Sequence, residues 1–328
     1  MPCGADLAQL LIGKGLETVR RQIEFLARSQ LPVLILGESG VGKELAAQGL
    51  ALLSGRPMER FRQVNAAVLA DPLAESLLFG HVRGAFTGAI ESREGFFDAA
   101  RGGVLFLDEI AEMSLAVQAK FLRILDGHPF TRLGETRPTP VDARLILATN
   151  APLPDLARKG RFRMDLLHRL MGSVLEIPPL RQRREDIPEL LAHFVPLFER
   201  SFNLRPITIP DESLRILVRH SWPGNVRQLK NFVSQAMEAF PDRVITPART
   251  RGLLLRSVGI RQKSSGKRFT PKDLAAAVKA ADGNVSEAAR TQGISRRHMY
   301  RLLKATGLRP RVEGRSQAPT SQAIAGQV

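Results

Sequence analysis

The residues of this chain best suited to chemistry form a glycine-rich loop between the apolar run Leu31–Leu36 and a helix-favouring segment. Glycines let the backbone wrap around phosphate oxygens, and a lysine closing such a loop reaches the β- and γ-phosphates of a nucleotide. The generic loop continues with Ser or Thr, which holds magnesium, whereas this chain has a glutamate there. We therefore predict a nucleotide-binding loop made of Gly37, Glu38, Ser39, Gly40, Val41, Gly42, Lys43 and Glu44.

A pair of acidic residues supplies the second half of this chemistry. The apolar run Val104–Leu107 predicts a buried strand, and it ends in Asp108 and Glu109. Magnesium prefers oxygen ligands, so we expect Asp108 to bind Mg²⁺ directly or through water. Glu109 would then orient and polarise the attacking water in phosphoryl transfer. With Lys43, the two carboxylates predict an ATPase.

Composition limits the class of protein. The chain has 328 residues, a net charge of +16, 44% hydrophobic residues and one cysteine, Cys3. This is typical of a globular protein without an internal disulfide or a thiolate metal site. No apolar stretch reaches the roughly 20 residues that span a bilayer, and the first residues lack the pattern of a secretion signal. We expect a cytoplasmic protein with no membrane partner.

The order of apolar runs indicates the domain organisation. Strand-like runs alternate with helical stretches over residues 1–178, which is typical of a parallel α/β sheet. Apolar residues at helical spacing then predict a small helical domain over residues 179–240, followed by a linker over 241–269. The five strand-like runs are Leu31–Leu36, Phe61–Val64, Val104–Leu107, Arg144–Ala148 and Val174–Ile177.

The last quarter of the chain is strongly basic. Residues 251–328 carry 16 Lys and Arg against 4 Asp and Glu, which favours a polyanionic partner over a merely solvated tail. Thr270 and Pro271 are a strong helix start, and Gly293 makes a turn between two further helical segments. This pattern predicts an all-α helix-turn-helix domain over residues 270–308 that binds double-stranded DNA, or else a three-helix interaction module. Residues 309–328 are predicted to be a disordered tail.

A six-residue run between the phosphate loop and the acidic pair resembles one known family. The run is Gly84, Ala85, Phe86, Thr87, Gly88 and Ala89. With the Gly-Glu-Ser-Gly-x-Gly-Lys-Glu form of the phosphate loop, it resembles the bacterial enhancer-binding proteins, AAA+ ATPases that activate sigma-54 RNA polymerase. The resemblance implies a P-loop α/β core sandwiched by helices, a helical lid, the cofactors ATP and Mg²⁺, and a ring, typically a hexamer. It also implies that Phe86 and Thr87 contact the sigma factor from an insertion between two helices. We expect the ring of Phe86 to be exposed at the tip of this insertion, where a partner would bury it.

The same resemblance implies roles for five further residues. Asn65, after the second strand, would bind the catalytic glutamate and keep it inactive until nucleotide and partner are in place. Asn150, after the fourth strand, would report on the γ-phosphate. Arg163 and Arg169 would be arginine fingers that act on a neighbouring subunit's nucleotide, and Arg227 would couple the nucleotide to the lid.

The C-terminal pattern resembles the Fis-type domain that ends many enhancer-binding proteins and binds DNA as a dimer. Ile294, Met299 and Leu303 would face its small core. The residues expected to face the major groove or its phosphates are Ser295, Arg296, Arg297, His298, Arg301 and Lys304.

The resemblance covers nearly all of residues 8–308. It implies an ATP-driven activator that binds enhancer DNA and remodels closed complexes of the sigma-54 RNA polymerase holoenzyme. Because the ATPase core begins almost at the first residue, we expect no N-terminal regulatory domain, with control by a protein in trans or by expression level; a truncated chain is the alternative. Two other functions stay open, a DNA-binding regulator with a degenerate ATPase and a ring ATPase that acts on some other protein.

Overall fold

The structure is a computed structural model that describes residues 4–68, 73–202, 207–240, 242–257, 271–281 and 285–291, together with Met299 and Leu303. The chain divides into two compact units, Met1–Gly259 and Ile260–Val328. Within the described ranges, no helix combines the length and the apolar character that crossing a bilayer requires.

The first unit is built on a five-stranded parallel sheet, as the sequence predicts. Its strands stand in the order β2-β3-β4-β1-β5. The first strand begins at Val33, two residues later than predicted, because Pro32 cannot donate to the ladder. The strands are Val33–Leu36 (β1), Phe61–Asn65 (β2), Val104–Asp108 (β3), Arg144–Thr149 (β4) and Val174–Glu176 (β5).

Helices cover both faces of this sheet. Side chains alternate along each strand, so Val33 and Ile35 pack on one face with the first three helices, while Leu34 packs on the other. This confirms a sheet sandwiched between helical layers. The first layer comprises Gly4–Leu10 (α1), Glu17–Ala27 (α2) and Lys43–Leu53 (α3). The second comprises Leu73–Phe79 (α4), Phe96–Ala99 (α5), Leu115–Leu125 (α6), Leu153–Arg158 (α7) and Met164–Leu170 (α8).

The sheet register brings the predicted site residues to one edge. Leu36, at the end of β1, stands opposite Thr149 at the end of β4. Asn65, at the end of β2, stands opposite Asp108 at the end of β3. In parallel α/β sheets, ligands bind beyond these carboxyl ends of the strands. The phosphate loop, the acidic pair and both asparagines therefore share one edge.

A four-helix lid follows the sheet in the same unit. Its core surrounds Trp222, which is fully buried and donates from its indole Nε1 to the carbonyl of Leu217 at 2.8 Å. The lid helices are Asp186–Phe202 (α9), Asp211–Arg219 (α10), Asn225–Ala239 (α11) and Pro247–Ser257 (α12).

The lid extends farther along the chain than the predicted limit at residue 240. Ile245, Leu253 and Leu254 are buried in the lid core, so α12 belongs to the lid and not to a linker that starts at residue 241. Three arginines, a threonine and a glycine in this helix dilute its apolar pattern, which is why periodicity does not reveal it.

The second unit holds the helices Pro271–Ala280 (α13) and Val285–Thr291 (α14). The first helix starts at the predicted proline, and Met299 and Leu303 are buried in a small core with Leu274 and Val285, as expected for inward-facing residues. Gly293, Ile294 and, apart from Met299 and Leu303, the segment 296–305 predicted as a third helix lie outside the described residues.

The lid boundary can be tested with two leucines of α12 that differ in burial. Leu253 is 4% exposed and Leu255 is 38% exposed. We expect Leu253→Ala to lower the free energy of unfolding of the lid by about 2–5 kcal/mol because it leaves a cavity, and Leu255→Ala to change it by about 0.5 kcal/mol or less. Denaturant unfolding followed by the fluorescence of Trp222, the only tryptophan, measures the lid directly. Equal losses in the two variants would contradict a packed α12.

Candidate active site

The phosphate loop runs from β1 into α3 and is covered by the lid. Gly40 has φ +79°, and a Cβ there would lie 2.5 Å from the carbonyl oxygen of Gly224 in the lid. The lid also binds this glycine, since the backbone N–H of Val226 donates to the carbonyl of Gly40 at 3.0 Å. Only glycine fits between the sheet and the lid at this point.

Lys43 lies between the loop and the acidic pair. Its Nζ donates to the carbonyl of Gly37 at 3.0 Å and lies 3.5 Å from Oε1 of Glu109. The side chain is only 7% exposed, so its charge is held within the site. A buried ammonium at the first turn of a helix, with free backbone N–H groups around it, is suited to binding phosphate oxygens.

The acidic pair follows β3 in a strained turn. Glu109 has φ +54°, an uncommon conformation for a residue with a side chain. Its backbone N–H donates to Oδ1 of Asp108 at 3.0 Å, and its Oε2 accepts from the backbone N–H of Asn150 at 3.2 Å. These contacts aim the carboxyl group of Glu109 across the sheet edge towards Lys43 and β4.

Burial changes the pKa of Asp108. Burial, followed by the negative charge of Glu109, raises the pKa of Asp108, and Lys43 opposes the shift only in part. A carboxyl group in this environment is stabilised in its ionised form by any further cation. Asp108 is therefore the residue that could hold a magnesium ion, together with waters and nucleotide oxygens. Among the described residues, no group of three or more His, Cys, Asp or Glu side chains could hold a metal ion by itself. An ion at Asp108 would therefore need oxygen ligands from water or nucleotide.

The two predicted asparagines make different contacts. Asn65 accepts at its Oδ1 from the backbone N–H of Ala67 at 2.9 Å, and among the described residues no hydrogen bond joins its side chain to Glu109. Asn150, an exposed residue, reaches Glu109 through its backbone N–H. The structure thus brings both residues to the edge of the site, and Asn150 is hydrogen-bonded to Glu109 there.

The lid contributes polar contacts that the motifs do not reveal. Arg227 donates from Nη1 to the hydroxyl of Ser39 at 3.1 Å, in line with its predicted position at the nucleotide loop. Asn225, which is fully buried, donates from Nδ2 to the carbonyl of Ser39 at 3.0 Å and to Oε2 of Glu38 at 3.1 Å. Its φ of +50° fits the Pro-Gly-Asn turn that starts α11, the one signal that could have indicated it.

A second lid contact holds the acidic side chain of the phosphate loop. Arg181 donates from both terminal nitrogens to the two carboxylate oxygens of Glu38, at 2.8 and 2.7 Å. These hydrogen bonds, followed by that from Asn225, lower the pKa of Glu38 from 4.5 to about 2. Glu38 is therefore ionised at neutral pH and tied to the lid, which sequence reasoning missed because the partners are 143 residues apart.

A buried ion pair joins the lid, the phosphate loop and the N-terminal segment. Arg183 is 2% exposed and donates from Nη2 to the carbonyl of Val41 at 2.9 Å. Its Nη1 lies 3.5 Å from Oδ2 of the fully buried Asp186, whose Oδ1 accepts from the backbone N–H of Gly15 at 2.8 Å. Burial lowers the pKa of Arg183 and raises that of Asp186.

An apolar pocket of about 170 Å³ lies beside this ion pair. It opens next to the phosphate loop and has few polar atoms, so it suits the flat face of a nucleotide base. Sequence reasoning did not identify it. Its lining includes Leu10, Leu11, Ile12, Leu16, Val41, Gly42, Leu45, Leu190, His193, Phe194 and Val226.

The two predicted arginine fingers lie on and beside α8. Arg163 donates from Nε and Nη2 to both oxygens of Asp165, at 3.1 and 2.7 Å, and these bonds lower the pKa of that carboxyl group. Arg169 donates from Nη2 to the carbonyl of Leu125 at 3.1 Å and lies 3.4 Å from Asp126. Neither guanidinium group makes a described contact with the phosphate loop of its own chain.

The six-residue run 84–89 forms a turn on an insertion between α4 and α5. His81 and Arg93 pair in antiparallel fashion at its base, and the backbone N–H of Gly84 donates to the carbonyl of Ala89 at 2.9 Å. Gly84 and Gly88 both have positive φ and open space around them. The turn is thus closed by backbone hydrogen bonds.

The aromatic side chain of this turn is half-buried, whereas we expected an exposed ring. Phe86 packs edge-on against His81, with ring centroids 5.0 Å apart, and the imidazole Nδ1 of His81 is 2.8 Å from the hydroxyl of Ser76. Thr87, next to it, is exposed. In this arrangement the ring packs against the base of its own insertion.

A second loop, over residues 130–139, packs against the base of the first, and we call it the supporting loop. Phe130 and Thr139 pair at its base, and the backbone N–H of Val82 donates to the carbonyl of Leu133 at 3.0 Å. Arg132 donates to Oδ2 of Asp98 at 3.1 Å, which ties this second loop to α5.

The predicted DNA contacts lie outside the described residues. They are Ser295, Arg296, Arg297, His298, Arg301 and Lys304.

Comparison with protein families identifies two regions. Residues 11–176 match the model of the sigma-54 interaction domain, and residues 181–267 match that of an AAA+ ATPase lid domain. The second match also extends beyond residue 240, in agreement with the position of α12.

Individual relatives agree with this assignment. The chain is 45% identical over 232 residues to the Nif-specific regulatory protein of Azotobacter vinelandii, covering 70% of this chain and 44% of that protein. It is 40% identical over 297 residues to the regulatory protein AtoC of Escherichia coli, covering 87% of this chain and 64% of AtoC. The chain spans about half the length of the curated relatives it matches.

Solved structures give the same fold. NtrX from Brucella abortus in complex with ATP superposes with a TM-score of 0.66 at 33% identity, covering 91% of this chain and 69% of NtrX. The ADP complex of NtrX superposes with a TM-score of 0.68 over 93% of this chain and 72% of NtrX.

The contact between Arg181 and Glu38 makes a pH-dependent prediction. Arg181→Ala removes the main cause of the low pKa of Glu38, so we expect that pKa to rise from about 2 towards 4.5. Since the pKa is depressed in the folded protein, the stabilisation by the pair is complete above pH 4.5 and is lost as the pH falls towards 2. NMR titration of ¹³C-labelled glutamate carboxyl groups measures the shift.

Arg184→Ala is the matched control, because that guanidinium donates to the carbonyl of Arg181 and makes no described contact with Glu38. An unchanged Glu38 pKa in Arg181→Ala would show that the lid arginine does not hold the loop.

Proposed function

This chain belongs to the sigma-54 interaction domain family, and from that premise we propose that it is an ATP-driven activator that remodels sigma-54 RNA polymerase at promoters. The observation that carries the proposal is the joining of two features in one compact unit. One is a phosphate loop facing an acidic pair, and the other is the turn 84–89 on an insertion of the same sheet domain.

ATP is the proposed nucleotide. The buried ammonium of Lys43 and the helix start behind it would bind the β- and γ-phosphates, and the apolar pocket beside Val41 would take the base. Asp108 would hold Mg²⁺, which supplies charge neutralisation at the phosphates. Glu109, whose carboxyl group is fixed by the Asn150 backbone, would orient the attacking water. Asn65 stands beside Asp108 in the sheet, where a rotation of its amide would engage Glu109.

The arginine fingers would act on a neighbouring subunit. Arg163 and Arg169 are partly exposed and pair with carboxylates of their own chain, away from its phosphate loop. Moving a guanidinium group from an exposed carboxylate to a phosphate costs little free energy, because exposed ion pairs are weak. A finger supplied in trans stabilises transition-state charge by a factor of about 10³–10⁵ elsewhere. We therefore propose a homo-oligomeric ring, a hexamer by the family resemblance.

Movement of the turn 84–89 would transmit the structural change caused by ATP hydrolysis to the sigma factor. The short helical turn Ile110–Glu112 follows Glu109 and packs against the turn Ala66–Val68, which follows Asn65. The chain from β2 continues to α4 and then to the insertion. A displacement at the acidic pair can thus reach Phe86 and Thr87, which would contact the sigma factor.

DNA binding is proposed for the second unit. Its described helices form a small core, and residues 260–328 carry 14 Lys and Arg against 4 Asp and Glu. Enhancer DNA bound by dimers of this unit would raise the concentration of the ATPase near the promoter.

Phe86→Ala is the central test of the proposal. The ring packs on His81 and makes no described contact with the phosphate loop, so we expect ATP hydrolysis within about twofold of wild type and loss of sigma-54-dependent transcription. Phe25→Ala, which removes a phenyl ring that is 74% exposed on α2, is the control and should leave both activities intact. In vitro transcription and phosphate release measure the two outputs. Full activation by Phe86→Ala would exclude the proposed mechanism.

Salt dependence tests the DNA-binding proposal. Four phosphate contacts from Arg296, Arg297, Arg301 and Lys304 predict that affinity falls by about 10² between 50 and 200 mM salt, since each contact releases a counterion. Arg296→Ala should lower the slope of log affinity against log salt by about one. Lys43→Ala, which alters the ATPase site alone, should keep the wild-type slope. Mobility shifts at four salt concentrations measure it, and a flat profile would reject a DNA partner.

A further inference from the structure

Gln118 of α6 is a fully buried glutamine, and its side-chain amide hydrogen-bonds to three backbone groups outside α6. Its Nε2 donates to the carbonyl of Met113 at 2.8 Å and to the carbonyl of Arg161 at 3.3 Å. Its Oε1 accepts from the backbone N–H of Arg163 at 2.8 Å. The side chain is 0% exposed.

These partners fix the orientation of the amide. Two carbonyl oxygens require the NH₂ group, and the N–H of Arg163 requires the oxygen, so the reversed amide would face three mismatched groups. Burying this amide costs free energy unless all three bonds form. The geometry of one side chain therefore determines where the backbone of residues 161–163 lies.

The two segments held by Gln118 belong to two different parts of the chemistry. Met113 closes the helical turn Ile110–Glu112 that follows Glu109, and its backbone N–H donates to the carbonyl of Ile110 at 3.2 Å. Arg163 is the residue that caps the start of α8. Phe162, between the two bonded residues, is buried in the sheet core and anchors the same stretch.

We propose that Gln118 is a positioning residue that fixes the arginine finger Arg163, which a subunit lends to its neighbour, against the turn that follows the acidic pair. The proposal rests on the proposed trans action of Arg163. The shared amide ties the backbone of Arg163 to the carbonyl of Met113. The finger is thus placed by this anchored amide and keeps its position in a subunit that binds no nucleotide.

Gln118→Leu keeps the volume of the side chain and removes the three bonds. We expect kcat for ATP hydrolysis to fall by about 10²-fold, as for a reacting group misplaced by about 1 Å, while KM for ATP stays unchanged because the phosphate loop is intact. Gln22→Leu, at an exposed position of α2, is the matched control and should match wild type.

Subunit mixing separates a finger defect from a defect in the subunit's own site. Arg163→Ala subunits keep a site but lack a finger, and Lys43→Ala subunits keep a finger but lack a site, so their mixture should recover hydrolysis. Gln118→Leu subunits should likewise recover when mixed with Lys43→Ala subunits. The double variant Gln118→Leu/Lys43→Ala should fail to restore activity to Arg163→Ala subunits.

Each outcome decides the proposal. Recovery of hydrolysis on mixing with Lys43→Ala subunits shows that Gln118→Leu subunits are folded and carry a working site. The proposal is supported if, in addition, the double variant fails to restore activity to Arg163→Ala subunits. Restoration of Arg163→Ala subunits by the double variant overturns it, because the finger then works without Gln118. Gln118→Glu, which keeps the acceptor and loses the donors, is run in parallel; if neither variant recovers with Lys43→Ala, Gln118 serves its own site and the proposal is overturned. Absence of recovery in the Arg163→Ala and Lys43→Ala mixture refutes trans action, and the proposed ring mechanism with it.

Discussion

The phosphate loop of this protein is held between two domains, and most of the site depends on that constraint. On one side it continues strand β1, and on the other it is hydrogen-bonded by the lid through Gly40 and Glu38. The lid contacts include backbone, amide and guanidinium donors, and one of them, Arg183, is almost completely buried. Because Arg183 and Asn225 are buried, water cannot readily replace their hydrogen bonds to the loop, so a rotation of the lid cannot leave the loop unchanged. The conformation of the loop and the position of the lid therefore change together.

The same constraint explains which parts of the site the sequence could predict. The five strands, the phosphate loop and the acidic pair follow from local patterns, because apolar alternation and glycine spacing act over a few residues. The contacts of Arg181, Arg183 and Asn225 with the loop connect positions more than 140 residues apart, and local pattern contains no trace of them. The apolar pocket likewise draws its walls from α1, α3 and α9.

Burial accounts for the remaining differences. Phe86 in a glycine-rich turn reads as an exposed ring, yet His81 lies close enough in space to cover it. Gln118 reads as a polar position on an amphipathic helix, and only the tertiary structure shows its amide enclosed by three backbone groups. The lid boundary was misplaced for the opposite reason, since α12 carries many polar residues around a few buried leucines. In each case the deciding interaction is a packing contact between distant segments.

The support of the 84–89 turn by a second loop has a consequence for how such a protein can diversify. Gly134 of the supporting loop has φ +76°, and a Cβ there would come within 2.8 Å of the Cβ of Ala85. The stiffness of the turn therefore depends on residues that carry no recognisable motif of their own. Changes in this supporting loop could alter the stiffness of the turn while leaving all six residues of the motif intact. Selection on that stiffness would then act on a segment that carries no motif.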